Sequence, residues 1–391
     1  MIDPQSSSPT RALYERARKR FPGGSSRTTL SSLGGPPYAL RGEGWKMVDV
    51  DGRELIDLHG DYSALVHGNT FAPVVQAARA ALESGSAFGL PTPAEVELAE
   101  CLAERVGWAE RWRFTGSGSE AVMAAVRAAR AASGRDMVVR FAECYHGGWD
   151  ALSQPGAGGV PGRVRQDVLT MTLGDGNGLL NALDRHEGEI ACVLLDLMPN
   201  RAGLHPVEVE FAKLVRDKTR SRGIALIVDE VITFRMARGG MQELYGIEGD
   251  IVTLGKLIGG GLPVGALGGR AEWMDVFDPS KAGAVALAGT FAANPVSMRA
   301  GLAALDAFGP AQIERIGGLG ERLRRGLEAQ GYEVSGSGSL CKLHSDDLKA
   351  QWWRLYEQGV LIAADGLMSV STAMDGAVVD RALQAFARAA R

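Results

Sequence analysis

Apolar residues in the middle of the chain form short continuous runs that are separated by segments with helical spacing. The runs are rich in aliphatic and β-branched residues and predict strands at 112–115, 137–141, 192–197, 225–231 and 251–254. Around them the apolar spacing predicts helices at 73–84, 94–106, 120–132, 207–222 and 295–308. Strands that are apolar on both faces and alternate with helices indicate an α/β fold, with a mostly parallel central sheet and helices on both faces.

The two ends of the chain carry a different pattern. Residues 10–21 predict a helix that stops at Pro22, and Asp51-Gly52 in the middle of 45–58 predicts a β-hairpin. Beyond residue 308 the pattern predicts a smaller α+β domain, with elements at 314–330, 335–343, 347–358 and 378–390. We therefore expect an N-terminal segment (1–60) that is part of the small domain, a large domain (61–300) and a C-terminal small domain (301–391).

The composition narrows the class of protein. The chain has 391 residues and a formal net charge of −4, which gives no sign of a nucleic-acid or membrane partner. Its cysteines are far apart and form no C-x-x-C pair, so they predict reduced thiols in a cytosolic protein and no metal site. The N-terminal segment lacks the apolar core of a secretion signal, and the expected location is therefore the cytoplasm.

Lys256 is the one charged residue between Asp250 and Arg270, in the stretch DIVTLGKLIGGGLPVGALGGR. The glycines, the proline and the lysine of this stretch argue against a membrane-spanning helix. Because burying an unpaired charge is costly, a lysine enclosed by apolar and backbone surface tends to lose its proton or to find a partner. A neutral lysine is a nucleophile that forms a Schiff base with an aldehyde. The alternative is a lysine at a strand end whose amine reaches water.

Two polar features follow predicted strands. The turn GSGSE at 116–120 lies between a strand and a helix, where free N–H groups and hydroxyls are suited to a phosphate. It lacks the G-K-[ST] of a Walker A loop, and the alternative is a simple helix cap. Asp229 ends the apolar run ALIVD, at the strand end where α/β folds bind their ligands. The alternatives for Asp229 are a cap or a surface carboxylate.

Tyr145 and His146 follow the strand predicted at 137–141, in the sequence Tyr-His-Gly-Gly. An aromatic residue there is suited to stacking on a planar ring, and the alternative is a core aromatic. A phosphate-binding turn, a stacking aromatic, a carboxylate for a pyridinium nitrogen and a lysine for an aldehyde are together what pyridoxal phosphate requires. The carboxylate keeps the ring nitrogen protonated, so that the ring can take up the electrons of a carbanion.

The motifs that carry these residues resemble those of the class III (fold-type I) pyridoxal-phosphate-dependent aminotransferases. They are FTGSGSEAVMAAVRAAR, YHGGWDAL, ALIVDEVITFR, DIVTLGKLIGGGLPVGALGGR and AGTFAANPVSMRAGLAAL. The resemblance is to the branch that contains glutamate-1-semialdehyde aminomutase and the β-phenylalanine aminotransferases. It extends from RGEGWKMVDVDGRELID to about residue 308 and is weaker beyond, and its lysine and DEV motifs are the most specific.

The resemblance implies a role for each matching residue of the cofactor site. Lys256 would be the Schiff-base lysine and the proton shuttle, and Asp229 would pair with the pyridine nitrogen. The remaining contacts would be to the two ring faces and to the phosphate: Val231 on one face, Tyr145 with His146 beside it on the other, and Gly118 and Ser119 at the phosphate.

The resemblance also implies a partner subunit and a substrate contact. Thr290, in A-G-T-F, would reach the phosphate of the neighbouring subunit, which makes the homodimer with shared active sites obligatory. Arg27 matches an arginine that binds the substrate carboxylate in relatives. The alternative for Arg27 is an exposed loop arginine.

The chain departs from the family pattern in three places. The phosphate turn reads Gly-Ser-Gly-Ser where the family usually has Asn-Ser-Gly-Thr, although Ser119 keeps the hydroxyl. Residues 196–201 replace a Glu-Pro pair, so that Arg201 is either a new anion contact or a surface arginine. Asp365 stands where β-phenylalanine aminotransferases carry a second substrate arginine. An acid there would repel a second carboxylate and accept from an amine or a hydroxyl.

The predicted function is an aminotransferase that moves an amino group from an amino donor to an oxo acceptor. The substrate class that we expect is a β-amino acid or an intermediate of a specialised pathway. An aminomutase that keeps the amino group within one substrate and a racemase that uses the same carbanion are alternatives. A dimer that binds the cofactor without turnover is a third, and the intact lysine and aspartate argue against it.

Overall fold

The computed structural model describes residues 8–390, and the chain folds into two compact units. The first unit contains the residues up to 72 and those from 314 onward, and the second contains residues 73–313. Both boundaries come later in the chain than the divisions predicted at 60 and 300. The first seven residues of the predicted segment 1–60 and the last residue of the predicted domain 301–391 lie outside the described residues.

The strands and helices follow the predicted alternation in the second unit and the mixed pattern in the first. The strands are β1 (Ala39–Glu43), β2 (Lys46–Asp49), β3 (Glu54–Asp57), β4 (Arg111–Thr115), β5 (Met137–Phe141), β6 (Val168–Met171), β7 (Ile190–Leu195), β8 (Ala225–Asp229), β9 (Ile251–Gly255), β10 (Gly265–Gly269), β11 (Glu333–Ser335), β12 (Leu340–His344), β13 (Val360–Leu361) and β14 (Leu367–Ser369). The helices are α1 (Pro9–Arg18), α2 (Gly60–Ser63), α3 (Ala72–Ser84), α4 (Pro93–Arg105), α5 (Gly118–Ser133), α6 (Gly176–Arg185), α7 (Val209–Ser221), α8 (Met241–Tyr245), α9 (Ala271–Met274), α10 (Pro295–Asp306), α11 (Pro310–Glu328), α12 (Leu348–Glu357) and α13 (Gly376–Ala389).

The sheet of the second unit has the strand order β4-β10-β9-β8-β7-β5-β6. Neighbouring strands are parallel, except that β10 runs antiparallel to both β4 and β9. The predicted mostly parallel sheet is therefore confirmed. Because β4 and β9 run in the same direction as the other parallel strands, all strands of this sheet except β10 end at one edge. In the register of β8 and β9, Asp229 lies opposite Thr253.

Helix α5 covers this sheet with a face made largely of alanine. Its buried alanines are residues 121, 124, 125, 128 and 129, and the helix contacts β7, β9 and β10. Small side chains let a helix backbone lie close to the strands, which raises the packing density. Ser117 caps the helix by accepting a hydrogen bond from the Glu120 N–H, and Gly134 ends it in a left-handed conformation.

Strand β10 was not predicted, because its sequence GALGG has little apolar periodicity. Gly265 pairs with Thr115 on one side and with Gly255 on the other. A Cβ atom added at Gly265 would lie 2.0 Å from the Ser117 carbonyl oxygen. The glycine therefore lets β10 pass directly beside the turn that starts α5.

The first unit has a sheet with the order β1-β2-β3-β13 and a second sheet with the order β11-β12-β14. The predicted hairpin is confirmed, because β2 and β3 pair antiparallel on either side of Asp51-Gly52. Strand β13 pairs in parallel with β3, which joins the N-terminal and C-terminal segments in one sheet. The single strand predicted at 335–343 is wrong. Gly336 and Gly338 have positive φ angles and divide it into the antiparallel strands β11 and β12.

None of the helices in residues 8–390 has both the length and the apolar character that are needed to cross a bilayer.

Because β10 lies so close to the Ser117 backbone, we expect Gly265→Ala to destabilise the protein. The added methyl group must displace the backbone at Ser117, and overpacking of this kind costs about 1–3 kcal/mol. Thermal denaturation would show this as a lower midpoint temperature. Gly107→Ala is the matched control, because no atom lies within 4 Å of its added Cβ. Equal midpoint temperatures for Gly265→Ala and Gly107→Ala would contradict the close contact between Gly265 and Ser117.

Candidate active site

The carboxyl edge of the second unit's sheet gathers the predicted cofactor residues. Asp229 ends β8, Lys256 follows β9 directly, and the turn at 116–119 follows β4. His146 lies in the loop after β5. Because these strands are parallel, their carboxyl ends meet at the edge where α/β folds bind ligands. Lys256 also has a left-handed φ of 48°, and such strained residues cluster at functional sites.

Asp229 is held through both of its carboxylate oxygens. Its Oδ2 lies 2.7 Å from His146 Nδ1, and its Oδ1 accepts hydrogen bonds from Thr253 Oγ1 and the Val231 N–H, both at 3.2 Å. The residue is 5% exposed, so the alternative of a surface carboxylate is excluded. His146 is buried as well, and its Nε2 has no hydrogen-bond partner within the described part of the chain. The carboxylate is therefore fixed in position by groups from three different segments.

A second buried carboxylate, Asp196, follows β7 at the same edge. Burial raises its pKa well above the ordinary value, and the charge of Asp229 adds to this effect. A hydrogen bond from the Met198 N–H and the charge of Lys256 oppose the shift but are outweighed. Asp196 is thus biased toward the neutral acid beside Asp229. Its sequence signal is close to that of Asp229, since both are carboxylates at the end of a buried apolar run.

The turn before α5 lies against Val231 and the end of β9. A Cβ atom added at Gly118 would lie 2.9 Å from Val231 Cγ2, and one added at Gly255 would lie 3.4 Å from the Gly118 Cα. Ser119 Oγ accepts a hydrogen bond from the Gly148 N–H at 3.3 Å, which ties the turn to the loop that carries Tyr145. The N–H groups in the first turn of this 16-residue helix are suited to an anion, and the Gly116 N–H before them already donates to the Glu120 carboxylate at 2.6 Å.

Tyr145 and Arg201 form a cation–π pair. The guanidinium carbon of Arg201 lies 4.0 Å from the centroid of the Tyr145 ring, and the tyrosine is 49% exposed. Tyr145 is therefore not a core aromatic. No local sequence pattern indicates this pairing, because the two residues lie on loops that follow different strands.

Glu230, the residue after Asp229, has a structural role. Its carboxylate accepts hydrogen bonds from the N–H groups of Met241 and Gln242 at the start of α8 and from the Thr233 hydroxyl. Burial raises the pKa of Glu230 to about 7, although these hydrogen bonds favour the ionised form. The two adjacent acids therefore have different surroundings: Asp229 lies at the sheet edge with His146, and Glu230 caps α8.

The predicted substrate residues of the first unit both have partners within that unit. Arg27 Nη1 lies 2.8 Å from Asp61 Oδ1, and both side chains are half-exposed. Asp365 accepts a hydrogen bond from the Leu367 N–H, and its Oδ2 lies 3.6 Å from Lys342 Nζ. No local sequence signal marks Asp61 or Lys342, because neither lies near its partner along the chain.

Comparisons with known proteins identify the family to which the chain belongs. The profile of the family "Aminotransferase class-III" matches residues 36–158 and 165–389. A glutamate-1-semialdehyde 2,1-aminomutase from Akkermansia muciniphila is 36% identical over 95% of this chain and 96% of its own length. Among solved structures, an omega-transaminase from Sphaerobacter thermophilus is 39% identical, with a TM-score of 0.95 over 98% of each chain. A β-phenylalanine aminotransferase from Variovorax paradoxus is 31% identical, with a TM-score of 0.89 over 96% of this chain and 92% of its own.

The chain belongs to the class-III aminotransferase family. Within that family it is a pyridoxal-phosphate-dependent aminotransferase, as the sequence predicted. The residues at the sheet edge fit this cofactor. The second unit contains the buried carboxylate of Asp229, the half-exposed ring of Tyr145 and Lys256. It also contains the N-terminus of α5, which lies close to Gly255.

The raised pKa of Glu230 predicts a pH-dependent stability. The folded protein keeps a proton up to about pH 7 that the unfolded chain releases near pH 4.5. The corresponding stabilisation is complete below pH 4.5 and is lost as the pH rises to about 7. In urea denaturation between pH 4.5 and 7, the free energy of unfolding of the wild type should fall with rising pH, by at most about 1.4 kcal/mol per pH unit from this residue. Glu230→Gln should lack this decline. The exposed Glu272→Gln should keep the decline, and equal slopes in wild type and Glu230→Gln would refute the assignment.

Proposed function

We propose that the residues at this sheet edge carry out amino transfer with the roles that the sequence assigned to them. The observation that supports this proposal is the buried Asp229 carboxylate, held by His146 and Thr253 at the same strand edge as Lys256. Asp229 pairs with the ring nitrogen of pyridoxal phosphate, and Lys256 binds its aldehyde. An electron-withdrawing pyridinium ring is the chemistry that this cofactor supplies when it is bound.

The other cofactor contacts follow the same assignment. Gly118 and Ser119 bind the phosphate through the N-terminus of α5, and Val231 and Tyr145 pack on the two faces of the ring. Support for the phosphate site comes from the hydrogen bond between Ser119 and the loop of Tyr145. His146 acts through Asp229, because its ring nitrogen holds one carboxylate oxygen in place.

The protein's own residues then move the proton and hold the substrate. Lys256 Nζ takes the proton from the donor carbon that bears the amino group and returns it later in the cycle. The hydrogen bonds of Asp229 replace the water that its carboxylate loses on burial. Arg27 binds the substrate carboxylate, and Arg201 and Asp365 are further candidates for substrate contacts.

An aminomutase is the alternative function, and the similarity to proteins named glutamate-1-semialdehyde 2,1-aminomutase favours it. Such an enzyme uses the same lysine and aspartate but keeps the amino group within one substrate. Turnover of a single amino aldehyde without a second oxo acid would support the aminomutase. A screen of amino donors with the visible spectrum of the cofactor as readout would identify the donor of an aminotransferase.

We also propose that the enzyme is a cytoplasmic homodimer with Thr290 reaching the partner's phosphate site. An exposed apolar surface in the second unit supports the dimer. Leu90 is 77% exposed and Phe291, beside Thr290, is 68% exposed. The segments that carry them are linked, because Asn294 Nδ2 donates to the Ser86 carbonyl at 2.7 Å. Contiguous exposed apolar surface marks protein interfaces, and in this proposal Leu90 and Phe291 contribute to one.

Lys256→Ala should abolish transamination. It should also abolish the visible absorption band that arises when the lysine amine is bonded to the cofactor aldehyde. The reason is that alanine neither binds the aldehyde nor carries a proton. Absorption spectra and a coupled assay for the oxo product would measure the two effects. Lys213→Ala, a partly exposed lysine on α7, is the control and should keep both. A Lys256→Ala protein that still turns over would disprove the assignment.

Leu90→Asp should dissociate the dimer. A charge in the centre of an apolar interface loses its water without gaining a partner, and we expect at least a roughly tenfold weaker association. Sedimentation velocity would measure the change. Leu244→Asp is the control, since Leu244 is 61% exposed on α8. A wild-type chain that sediments as a monomer would count against the dimer.

A further inference from the structure

The segment 60–63 of the first unit forms a left-handed turn. Gly60, Asp61, Tyr62 and Ser63 have φ angles of 51°, 47°, 55° and 70°. Residues other than glycine rarely adopt this conformation, and three in succession are strained. Such strain persists only where the surroundings impose it, and it clusters at ligand-binding sites.

Contacts on both sides hold the strained turn in place. The N–H groups of His59 and Gly60 donate to Asp57 Oδ1 at 3.0 and 2.9 Å. The Tyr62 hydroxyl lies 2.7 Å from Thr29 Oγ1, so the turn is bonded to the segment that carries Arg27. The conformation thereby places the Asp61 carboxylate on the Arg27 guanidinium.

This ion pair lies at the exposed side of a cavity of about 570 Å³ within the first unit. Arg27 and Asp61 line the cavity and are half-exposed, whereas Leu33, Leu55 and Ile362 line it and are buried. The cavity is within the usual volume range of small-molecule sites, which are mostly apolar with a few polar groups. Its buried lining is thus mostly apolar, although it also includes the carboxylates of Asp49 and Asp57.

We propose that Asp61 is a specificity-determining residue that limits Arg27 to one substrate carboxylate, while the cavity behind the pair accepts a large apolar group of the substrate. The substrate class is therefore a monocarboxylic amino or oxo acid with a long aliphatic or aryl group. This inference rests on the proposed role of Arg27 in binding the substrate carboxylate. A guanidinium has five N–H donors, so it can hold a carboxylate while Asp61 occupies Nη1.

The charges around the turn disfavour a second carboxylate. Asp57, Asp61 and Asp365 all act on the ring of His59, against the single positive charge of Arg27. Burial lowers the pKa of His59 in spite of these acids, so the histidine adds no compensating charge at neutral pH. A dicarboxylate would bring another negative charge into a region that already has an excess of them.

Binding of substrate-like acids to the holoenzyme tests the proposal without requiring turnover. Isothermal titration calorimetry would compare acetate, butyrate, hexanoate and octanoate with succinate and suberate. We expect the affinity to rise at least tenfold from acetate to octanoate, and the dicarboxylates to bind at least tenfold more weakly than monocarboxylates of equal length. Equal affinity for octanoate and suberate would overturn the role of Asp61, and equal affinity for acetate and octanoate would overturn the role of the cavity.

Two variants separate the ion pair from the cavity. Asp61→Asn keeps the shape and tolerates the left-handed conformation, so the preference for octanoate over suberate should fall by at least tenfold. Asp380→Asn, which breaks the half-exposed ion pair with Arg322 in the same unit, should keep that preference. Leu30→Trp fills the cavity and should weaken octanoate at least tenfold more than acetate, whereas the exposed Val209→Trp should change neither. An unchanged preference in Asp61→Asn would refute the proposal.

The cofactor spectrum tests amino transfer, and calorimetry tests the roles of Asp61 and the cavity, so the two proposals can fail separately. If no amine changes the cofactor spectrum of the wild type, amino transfer fails, while the calorimetric preferences still report on Asp61 and the cavity. If amines are turned over but acids bind without regard to length or charge, the inference fails and amino transfer stands.

Discussion

The buried carboxylate of Asp229 is the group on which the second unit's site depends. An ionised carboxylate out of contact with water is stable only when hydrogen bonds or opposite charges replace the lost hydration. Here His146 and Thr253 supply hydrogen bonds to its two oxygens. Asp196 beside it favours the neutral form, which limits the accumulation of negative charge at the strand ends. The parallel sheet makes this arrangement possible, because β7, β8 and β9 bring their carboxyl ends to one edge.

Close approach of backbone segments is the second requirement of this edge. The turn before α5 must lie against β10, Val231 and the start of the Lys256 turn, and side chains would keep these segments apart. Glycines at 118, 255 and 265 remove the obstructing Cβ atoms. The alanine face of α5 does the same for the helix behind them. Side chains are thus absent from the contacts at the edge, whereas the aliphatic core beneath it is packed by side chains.

The first unit uses conformational strain for a similar purpose. The left-handed turn at 60–63 costs energy locally, and the hydrogen bonds of Asp57 and Tyr62 maintain it. The result is an acid fixed on Arg27 beside a cavity with a mostly apolar lining. The sequence pattern around Asp61 contains neither apolar periodicity nor a glycine pair that would reveal this turn.

The sequence by itself determined most of the strands and helices of the second unit and the positions of Lys256 and Asp229 at the ends of buried strands. These follow from local apolar spacing and from the residue that comes next along the chain. The predictions of a strand end at 197 and of one undivided strand at 335–343 are wrong. The boundary of a strand depends on its partner strand and on glycines with positive φ angles. Only the tertiary structure decided that β10 inserts between β4 and β9 and that His146 lies on Asp229, 83 residues away. It also decided that Arg201 covers Tyr145 and that Asp61 binds Arg27. Contacts of this kind depend on topology and on side-chain direction, and no local pattern of hydrophobic and polar residues encodes either.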